Sequence, residues 1–171
     1  MQKLFVALMS IVFVSSCVKI PEGVNPVSNF EVDRYMGKWY EIARLDHRSE
    51  RGLKAVTAEY SLNQDGGFAV KHRGYMTRQS EWQEVEGKAS FAGPENIGHF
   101  KVSIVPPFPG SYAIFELDPD YQYAYVCGSN TSRLWLLART TEVDQDILDD
   151  FVGKSKDLGF DTSELIYVHH F

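Results

Sequence analysis

Gly37-Lys38-Trp39-Tyr40 begins the first of eight chain segments that are typical of β-strands. Aromatic and β-branched residues are frequent in each segment, and Gly, Pro, Asn or Asp separates one from the next, as in sheets joined by tight turns. The segments are residues 38–44, 55–62, 68–76, 82–91, 99–105, 112–117, 121–126 and 133–139. Eight strands in series with mostly short connections predict an up-and-down antiparallel barrel, because closure at this strand number removes the exposed sheet edges.

One segment after the eighth strand has helical periodicity instead. Five apolar residues of 144–158 recur at helical spacing, namely Ile147, Leu148, Phe151, Val152 and Leu158. Gly159 can end this helix, and its apolar stripe must be buried, so we expect the helix to pack on the outside of the barrel. The predicted fold class is therefore all-β, an eight-stranded up-and-down antiparallel barrel with one C-terminal α-helix packed outside. Residues 165–168 are predicted to form a further short strand.

The N-terminus has the features of an export signal. Lys3 precedes an apolar run over residues 4–14 that is too short to span a bilayer. The run ends in Val14-Ser15-Ser16-Cys17, which resembles the lipobox of bacterial lipoproteins, an aliphatic residue and two small residues before a cysteine. We therefore predict a signal peptide over residues 1–16 and lipidation of Cys17 with diacylglyceryl and N-acyl groups. An ordinary secretory signal with a chance cysteine is the alternative.

The next segment, residues 17–29, is predicted to be the lipidated N-terminus and tether, and residues 30–171 the folded domain. The tether contains Pro and Gly and lacks periodicity. Val18 follows the cysteine, whereas an aspartate at that place usually retains a lipoprotein in the inner membrane. The resemblance to lipoproteins thus implies an outer-membrane location, with membrane contact through the lipid anchor and the domain facing the periplasm.

The composition narrows the function classes. The chain of 171 residues carries a formal net charge of −6, and without a basic cluster this argues against nucleic acid as a partner. Its two cysteines are Cys17 and Cys127, so a lipidated Cys17 leaves no disulfide within the chain, and Cys127 is interpreted as a small strand residue. Neither a Gly-x-Ser-x-Gly elbow nor the usual zinc spacings occur. We predict no catalytic residue, no metal site and no cofactor, although the sequence leaves open a Ser-His-Asp set assembled by the fold.

Three motifs together resemble the lipocalin family, and bacterial lipocalins in particular. They are Gly37-Lys38-Trp39-Tyr40, Asp118-Pro119-Asp120-Tyr121 with Tyr123 following, and Leu134-Trp135-Leu136-Leu137-Ala138-Arg139. They occur in the family's order, and the resemblance covers residues 29–171. It implies mainly structural roles for Gly37, Trp39, Asp118, Tyr121 and Arg139. Trp39 is expected to plug one end of the barrel, Arg139 to stack on its indole, and Gly37 to allow close approach of the chain.

The other end of the barrel is expected to open into a ligand cavity. Side chains alternate along a strand, so inward positions can be assigned from each strand's pattern. The candidate ligand contacts are Ala58, Tyr60, Val70, His72, Ala89, Phe91, Val102, Ile104, Tyr112 and Ile114. The small side chains among them, with Gly87, favour open space, while a packed core is the alternative. Glu41, His72 and Glu116 are candidate polar contacts, and an outward position is the alternative for each.

The loop over residues 46–53 is expected to cover part of the cavity mouth, where Arg48 or Arg51 could meet an anionic head group, and Phe108 is placed near the mouth as well. The family resemblance implies binding or carriage of a small hydrophobic ligand such as a fatty acid or a lysophospholipid. Two alternatives from other classes are left open: a lipid-acting envelope enzyme and a structural lipoprotein with a filled barrel. A homodimer is one state that the resemblance allows.

Overall fold

A closed antiparallel β-barrel forms the body of the protein in the computed structural model, which describes residues 18–64, 66–104 and 109–171. Its strands within those ranges are β1 Gly37–Leu45, β2 Leu53–Leu62, β3 Phe68–Met76, β4 Glu81–Phe91, β5 His99–Ser103, β6 Gly110–Leu117, β7 Tyr123–Cys127, β8 Leu134–Ala138 and β9 Leu165–Tyr167. Each of β1 to β7 pairs with the strand that follows it, and β8 pairs with β1, which closes the barrel. The predicted eight-stranded up-and-down barrel is confirmed. The predicted signal peptide, Cys17 and Phe108 lie outside the described residues.

The predicted helix is present as α2 Gln145–Asp157, and it lies against the outside of the barrel. Phe151 and Ser155 are its fully buried residues, and Phe151 packs with the outward-facing side chains of Tyr125 and Leu136. The Tyr125 hydroxyl lies 2.9 Å from Asp150 Oδ2, which fixes the helix on the sheet by a hydrogen bond as well as by apolar contact. Gly159, with φ of +84°, follows the helix and turns the chain away.

The predicted last strand is also present, as β9, but it extends the sheet rather than the barrel. It pairs with Ala43–Leu45 on the edge of β1 that β2 leaves free, because β1 and β2 pair only between Gly37–Tyr40 and Thr57–Tyr60. The chain after β9 then bridges this gap, since Val168 N–H donates to Ile42 O and Ala55 N–H donates to His169 O, each at 2.8 Å. The C-terminal segment therefore seals the seam between the first two strands.

The predicted tether, residues 17–29, contains less unpacked chain than the sequence suggested. Val24 is buried in the apolar cluster between the outside of the barrel and α2, and Ile20 packs against that cluster. Val27 donates its N–H to Ile114 O at 2.8 Å and accepts from Gly98 N–H at 2.9 Å. Most of residues 18–29 thus lies on the barrel. Within the described ranges, no helix combines the length and the apolar character needed to cross a bilayer.

One end of the barrel is closed by the side chain of Trp39. The indole is fully buried, and its Nε1–H donates to Tyr35 O at 2.8 Å. Tyr35 belongs to a short helix that the sequence analysis did not predict, α1 Val32–Tyr35, which carries the chain across this end. The Arg139 guanidinium lies 3.9 Å above the indole and donates to the carbonyl oxygens of Lys38, Arg34 and Met36 at 2.8–3.0 Å.

The three other motif positions at this end, Gly37, Asp118 and Tyr121, shape the backbone. Gly37 has φ of +91°, and a Cβ there would lie 3.5 Å from the Arg139 guanidinium, so the strained backbone rather than the space requires glycine. The Asp118 carboxylate accepts from the N–H groups of Asp120 and Gln122, both at 3.1 Å, which forms the turn between β6 and β7. Tyr121 adopts φ of +58° in that turn, and this is why β7 begins at Tyr123 rather than at the predicted residue 121.

Candidate ligand-binding site

Aromatic side chains fill the half of the barrel next to the Trp39 plug. They come from the N-terminal segment, from α1 and from several strands, and they are Phe30, Tyr35, Tyr60, Phe68, Phe91, Phe100, Tyr112 and Tyr121. The rings meet edge to face, with centroids 4.9 Å apart for Phe68 and Phe100 and 5.3 Å apart for Phe30 and Phe100. This half of the interior is therefore a packed core. A packed core was the alternative to an open cavity in the sequence analysis, and it applies to this half of the barrel.

Three tyrosine hydroxyls end the packed half on the side of the mouth. The hydroxyls of Tyr35 and Tyr112 are 2.6 Å apart, and Tyr60 also bonds to Tyr112. Burial raises the pKa of all three tyrosines well above the ordinary value. They stay neutral hydroxyls at any physiological pH, and Tyr60 and Tyr112 form the floor of the open half.

The open half contains two adjoining spaces. The inner one has a volume of about 80 Å³ and reaches the tyrosine floor. The outer one, about 480 Å³, lies at the mouth between strands β3 and β4 and the loop over residues 46–52 that joins β1 to β2, here called the first loop. The two share five bordering residues, Ser49, Glu50, Val56, His72 and Ile104. Because these residues border both spaces, the two spaces form one cavity with an inner and an outer chamber.

Six of the predicted ligand contacts border this cavity, and the structure brings them together from four strands and the end of β5. They are Ala58, Tyr60, His72, Val102, Ile104 and Tyr112, all of which line the inner chamber. Glu41, one of the candidate polar contacts, lines it too. Whether any of these side chains binds a ligand stays a prediction.

The other four predicted contacts, Val70, Ala89, Phe91 and Ile114, face the interior but lie in the packed half and do not border the cavity. Ala89 is 5% exposed and stands between Phe68 and Val102 in the sheet. Gly87 leaves no room either, because a Cβ there would come within 2.8 Å of the Ser103 carbonyl oxygen. Small residues at these positions allow strands and rings to approach closely, and they do not mark open space.

Two further expectations about charged contacts need correction. Glu116 points outward and pairs with Lys154 of α2 at 2.9 Å, because a β-bulge between Ile114 and Glu116 reverses the alternation. Arg51 pairs with Asp46 at 2.7 Å on the outside of the first loop and does not border the cavity. Arg48 is exposed and does not border it either.

A cluster of charged side chains lies at the mouth and was not predicted from the sequence. Arg44 is 1% exposed, and its guanidinium donates to Glu41 Oε1 at 2.7 Å and to Glu50 O at 2.9 Å. Glu50 Oε2 in turn lies 2.8 Å from His47 Nε2 and accepts from Trp135 Nε1 at 3.1 Å. The available signal was the spacing of Glu41 and Arg44, two opposite charges three residues apart on β1. Strict alternation from Trp39 places Arg44 outside, but a bulge between Glu41 and Ala43 turns it inward.

Burial and pairing set the protonation of this cluster. Burial alone would raise the pKa of Glu50, but the hydrogen bond and charge of His47 lower it to about 2, so Glu50 is ionised. Burial, and next the charge of Glu50, raises the pKa of Glu41 against the opposing effect of Arg44. Burial also lowers the pKa of His72, which favours the neutral imidazole. The mouth of the cavity thus holds an ionised carboxylate, a buried guanidinium and the imidazole of His72, whose neutral form is favoured, beside apolar walls.

The family is decided by a comparison with protein-family models, in which residues 30–170 match the lipocalin-like domain. The chain belongs to the lipocalin family. Lipocalins are a family of carriers that bind small hydrophobic ligands. The lipocalin is 53% identical over 169 residues to the outer membrane lipoprotein Blc of Vibrio cholerae serotype O1, which covers 98% of each chain. It is 45% identical over 148 residues to the outer membrane lipoprotein Blc of Escherichia coli strain K12, covering 86% of this chain and 84% of that one.

The fold of the lipocalin also matches solved structures of distant sequence. Insecticyanin from the tobacco hornworm Manduca sexta superposes with a TM-score of 0.70 at 17% identity, over 90% of this chain and 88% of the other. At this identity the likeness establishes the barrel and its helix and carries no information on the ligand.

Proposed function

We propose that this lipocalin binds one single-chain lipid, a fatty acid or a lysophospholipid, in the cavity and carries it at the outer membrane. The observation that carries the proposal is the pairing of apolar walls with a charged mouth. Leu53, Val56, Val85 and Ile104 line the outer chamber, while Glu50 and Arg73 border the same space. A single acyl chain with one polar head has the complementary distribution of apolar and polar groups.

The anchor and the location are part of the proposal. The names of the two Blc relatives, outer membrane lipoproteins, support lipidation of Cys17 and an outer-membrane location with the domain in the periplasm. Because Ile20 already packs on the barrel, only Val18 and Lys19 separate Cys17 from packed chain. A lipidated Cys17 would therefore hold the barrel close to the membrane surface, where single-chain lipids partition.

Native mass spectrometry of residues 18–171 tests the binding. A folded sample is expected to carry, or to take up on addition, one fatty acid or lysophospholipid per chain, and the same spectrum reports whether a homodimer forms. Val102→Trp fills the inner chamber and is expected to weaken binding of a fluorescent fatty acid at least tenfold. Lys101→Trp, on the opposite face of the same strand, is the matched control and should bind normally. Lipid binding that is unaffected by Val102→Trp would contradict this site.

A structural lipoprotein with a filled barrel is the second candidate, and the packed aromatic half favours it. The inner chamber is small beside the aromatic core that occupies the rest of the interior. The same mass spectra separate the two functions, since a scaffold is expected to remain free of lipid at micromolar concentrations of every single-chain lipid tested.

A further inference from the structure

Three polar side chains of the first loop, His47, Ser49 and Glu50, lie in contact with one another where the inner and outer chambers meet, here called the neck of the cavity. Ser49 Oγ lies 2.9 Å from His47 Nδ1, and His47 Nε2 lies 2.8 Å from Glu50 Oε2. A hydroxyl, an imidazole and a carboxylate in this order are the nucleophile, general base and orienting group of serine hydrolases, which are identified by geometry rather than by sequence position. The Nε2 contact to Glu50 is short but not aligned with a ring N–H, and such bonds often align only when substrate is bound.

Packing holds His47 and Glu50 in place, whereas the Ser49 hydroxyl is accessible. His47 is 8% exposed, and its ring stands edge-on to Trp135 with centroids 5.2 Å apart. Glu50 is held in addition by Trp135 Nε1 at 3.1 Å, and Arg44 Nε lies 3.8 Å from the same carboxylate oxygen. Ser49 is exposed, and it borders both chambers. An acyl chain that lies mainly in the outer chamber and extends into the inner one would thus pass beside the Ser49 hydroxyl, with its ester carbonyl near that hydroxyl.

We propose that Ser49 and His47 hydrolyse the acyl ester of a monoacyl lipid seated in the cavity, with Glu50 as the residue that positions His47. The activity goes beyond carriage of the lipid, and its substrate class rests on the proposed function. A fatty acid is the product of the reaction, so one cavity serves both the ester and the acid released from it.

The chemistry balances with water as the only co-reactant. Ser49 Oγ attacks the ester carbonyl carbon while its proton passes to His47 Nδ1. The tetrahedral intermediate then loses the alcohol part of the lipid, which takes the proton from Nδ1, and an acyl-serine remains. Water then attacks the acyl-serine, with His47 again as the base. This step releases the fatty acid and restores the Ser49 hydroxyl.

Groups that could stabilise the oxyanion border the same chamber. Arg133 borders the inner chamber, and His72 borders both chambers. Burial lowers the pKa of His72, and its ring makes no hydrogen bond to another residue of the described ranges. A neutral imidazole has one N–H, so His72 can donate to a developing oxyanion.

Reaction with a fluorophosphonate, which forms a covalent adduct with activated serines, tests the proposal on the full chain purified from membranes in detergent. Intact mass and peptide mapping are expected to show one adduct per chain, on Ser49, and the chain is expected to release p-nitrophenol from a p-nitrophenyl acyl ester. Ser49→Ala should lose both, and because Ser49 is exposed its fold should be unchanged. Ser90→Ala removes an exposed hydroxyl outside the cavity and should react as the parent does.

The roles of the partner residues have their own readouts. His47→Gln is expected to lower the rate of hydrolysis by roughly 10²–10⁴-fold, the usual contribution of a general base. Glu50→Gln is expected to slow labelling of Ser49 while the final extent stays at one adduct per chain. A loss of fold would lower the extent instead, which separates a positioning role from a purely structural one.

Three outcomes would overturn the proposal: no adduct on Ser49, hydrolysis that Ser49→Ala leaves unchanged, or an adduct rate that His47→Gln does not alter. In each case the three side chains only hold the first loop against the barrel. Binding of a fluorescent fatty acid is measured on the same samples. Binding without hydrolysis refutes the esterase and keeps the carrier function, whereas hydrolysis without measurable fatty-acid binding refutes the carrier function alone.

Discussion

Replacement of the buried carboxylate at the mouth by its neutral isostere, Glu50→Gln, should destabilise the protein by about 3 kcal/mol at pH 7. The pKa of Glu50 is lowered from 4.5 to about 2 in the folded chain, and a shift of that size corresponds to about 3 kcal/mol of stabilisation by the ionised form. A group with a lowered pKa stabilises the fold at every pH above its unfolded value. The stabilisation is lost as the pH falls from about 4.5 to about 2.

Urea denaturation of the parent and of Glu50→Gln at several pH values measures this difference. The difference in the free energy of unfolding should be constant from pH 7 to about pH 5.5 and fall to less than half of that value at pH 3. Glu59→Gln, which neutralises an exposed carboxylate on β2, is the matched control and should change stability by less than about 0.5 kcal/mol. A loss that is equal at pH 7 and pH 3 would refute the reasoning, because it would arise from packing rather than from charge.

Three further changes test other parts of the molecule. Trp39→Ala should cost roughly 3–5 kcal/mol through the loss of the plug, and an unchanged urea midpoint would contradict the closed end described above. Ala89→Trp should overfill the packed half and cost about 1–3 kcal/mol or more, whereas Lys88→Trp on the exposed face should not; equal melting temperatures for the two would indicate open space at Ala89. Cys17→Ser should abolish incorporation of labelled palmitate and retention in the membrane fraction, and palmitate labelling that persists would exclude Cys17 as the anchor.

The strands, the helix and the closed end could be predicted because their signals are local or belong to well-separated motifs. Turn residues mark the ends of each strand, and the helical stripe of α2 has a period that no strand shows. Trp39 and Arg139 are far apart in sequence, but Trp39 lies near the start of β1 and Arg139 directly follows β8. Closure of the barrel therefore brings them together, at 3.9 Å in the structure.

The cavity could be predicted only in part, because the side of a strand that faces inward depends on bulges. A bulge adds one residue to one strand and reverses the alternation beyond it. The bulge after Glu41 brings Arg44 inside, and the bulge before Glu116 takes that carboxylate outside. Neither bulge contains a glycine or a proline that would mark it in the sequence.

The depth of the cavity could not be predicted from the sequence either, because it depends on residues outside the strands. Phe30 and Tyr35 come from the chain before β1, and they fill the barrel from the closed end. Alternation within the strands assigns the inward positions but not what else enters the interior. Ala89 and Gly87 therefore suggested space in the sequence, whereas in the structure they accommodate rings and a neighbouring backbone.

The filling of the closed half also determines which residues can select a ligand. Of the two chambers, the outer has about 480 Å³ and the inner about 80 Å³, so most of a bound lipid must lie near the mouth. The polar groups there belong largely to the first loop and to the strand ends beside it, where Ser49 and Glu50 border both chambers. The tyrosine floor offers only neutral hydroxyls, while the mouth offers charges and an imidazole. Discrimination among head groups should consequently follow substitutions in the first loop, and discrimination among chain lengths should follow the bulk at Val102 and Ala58, which line the inner chamber.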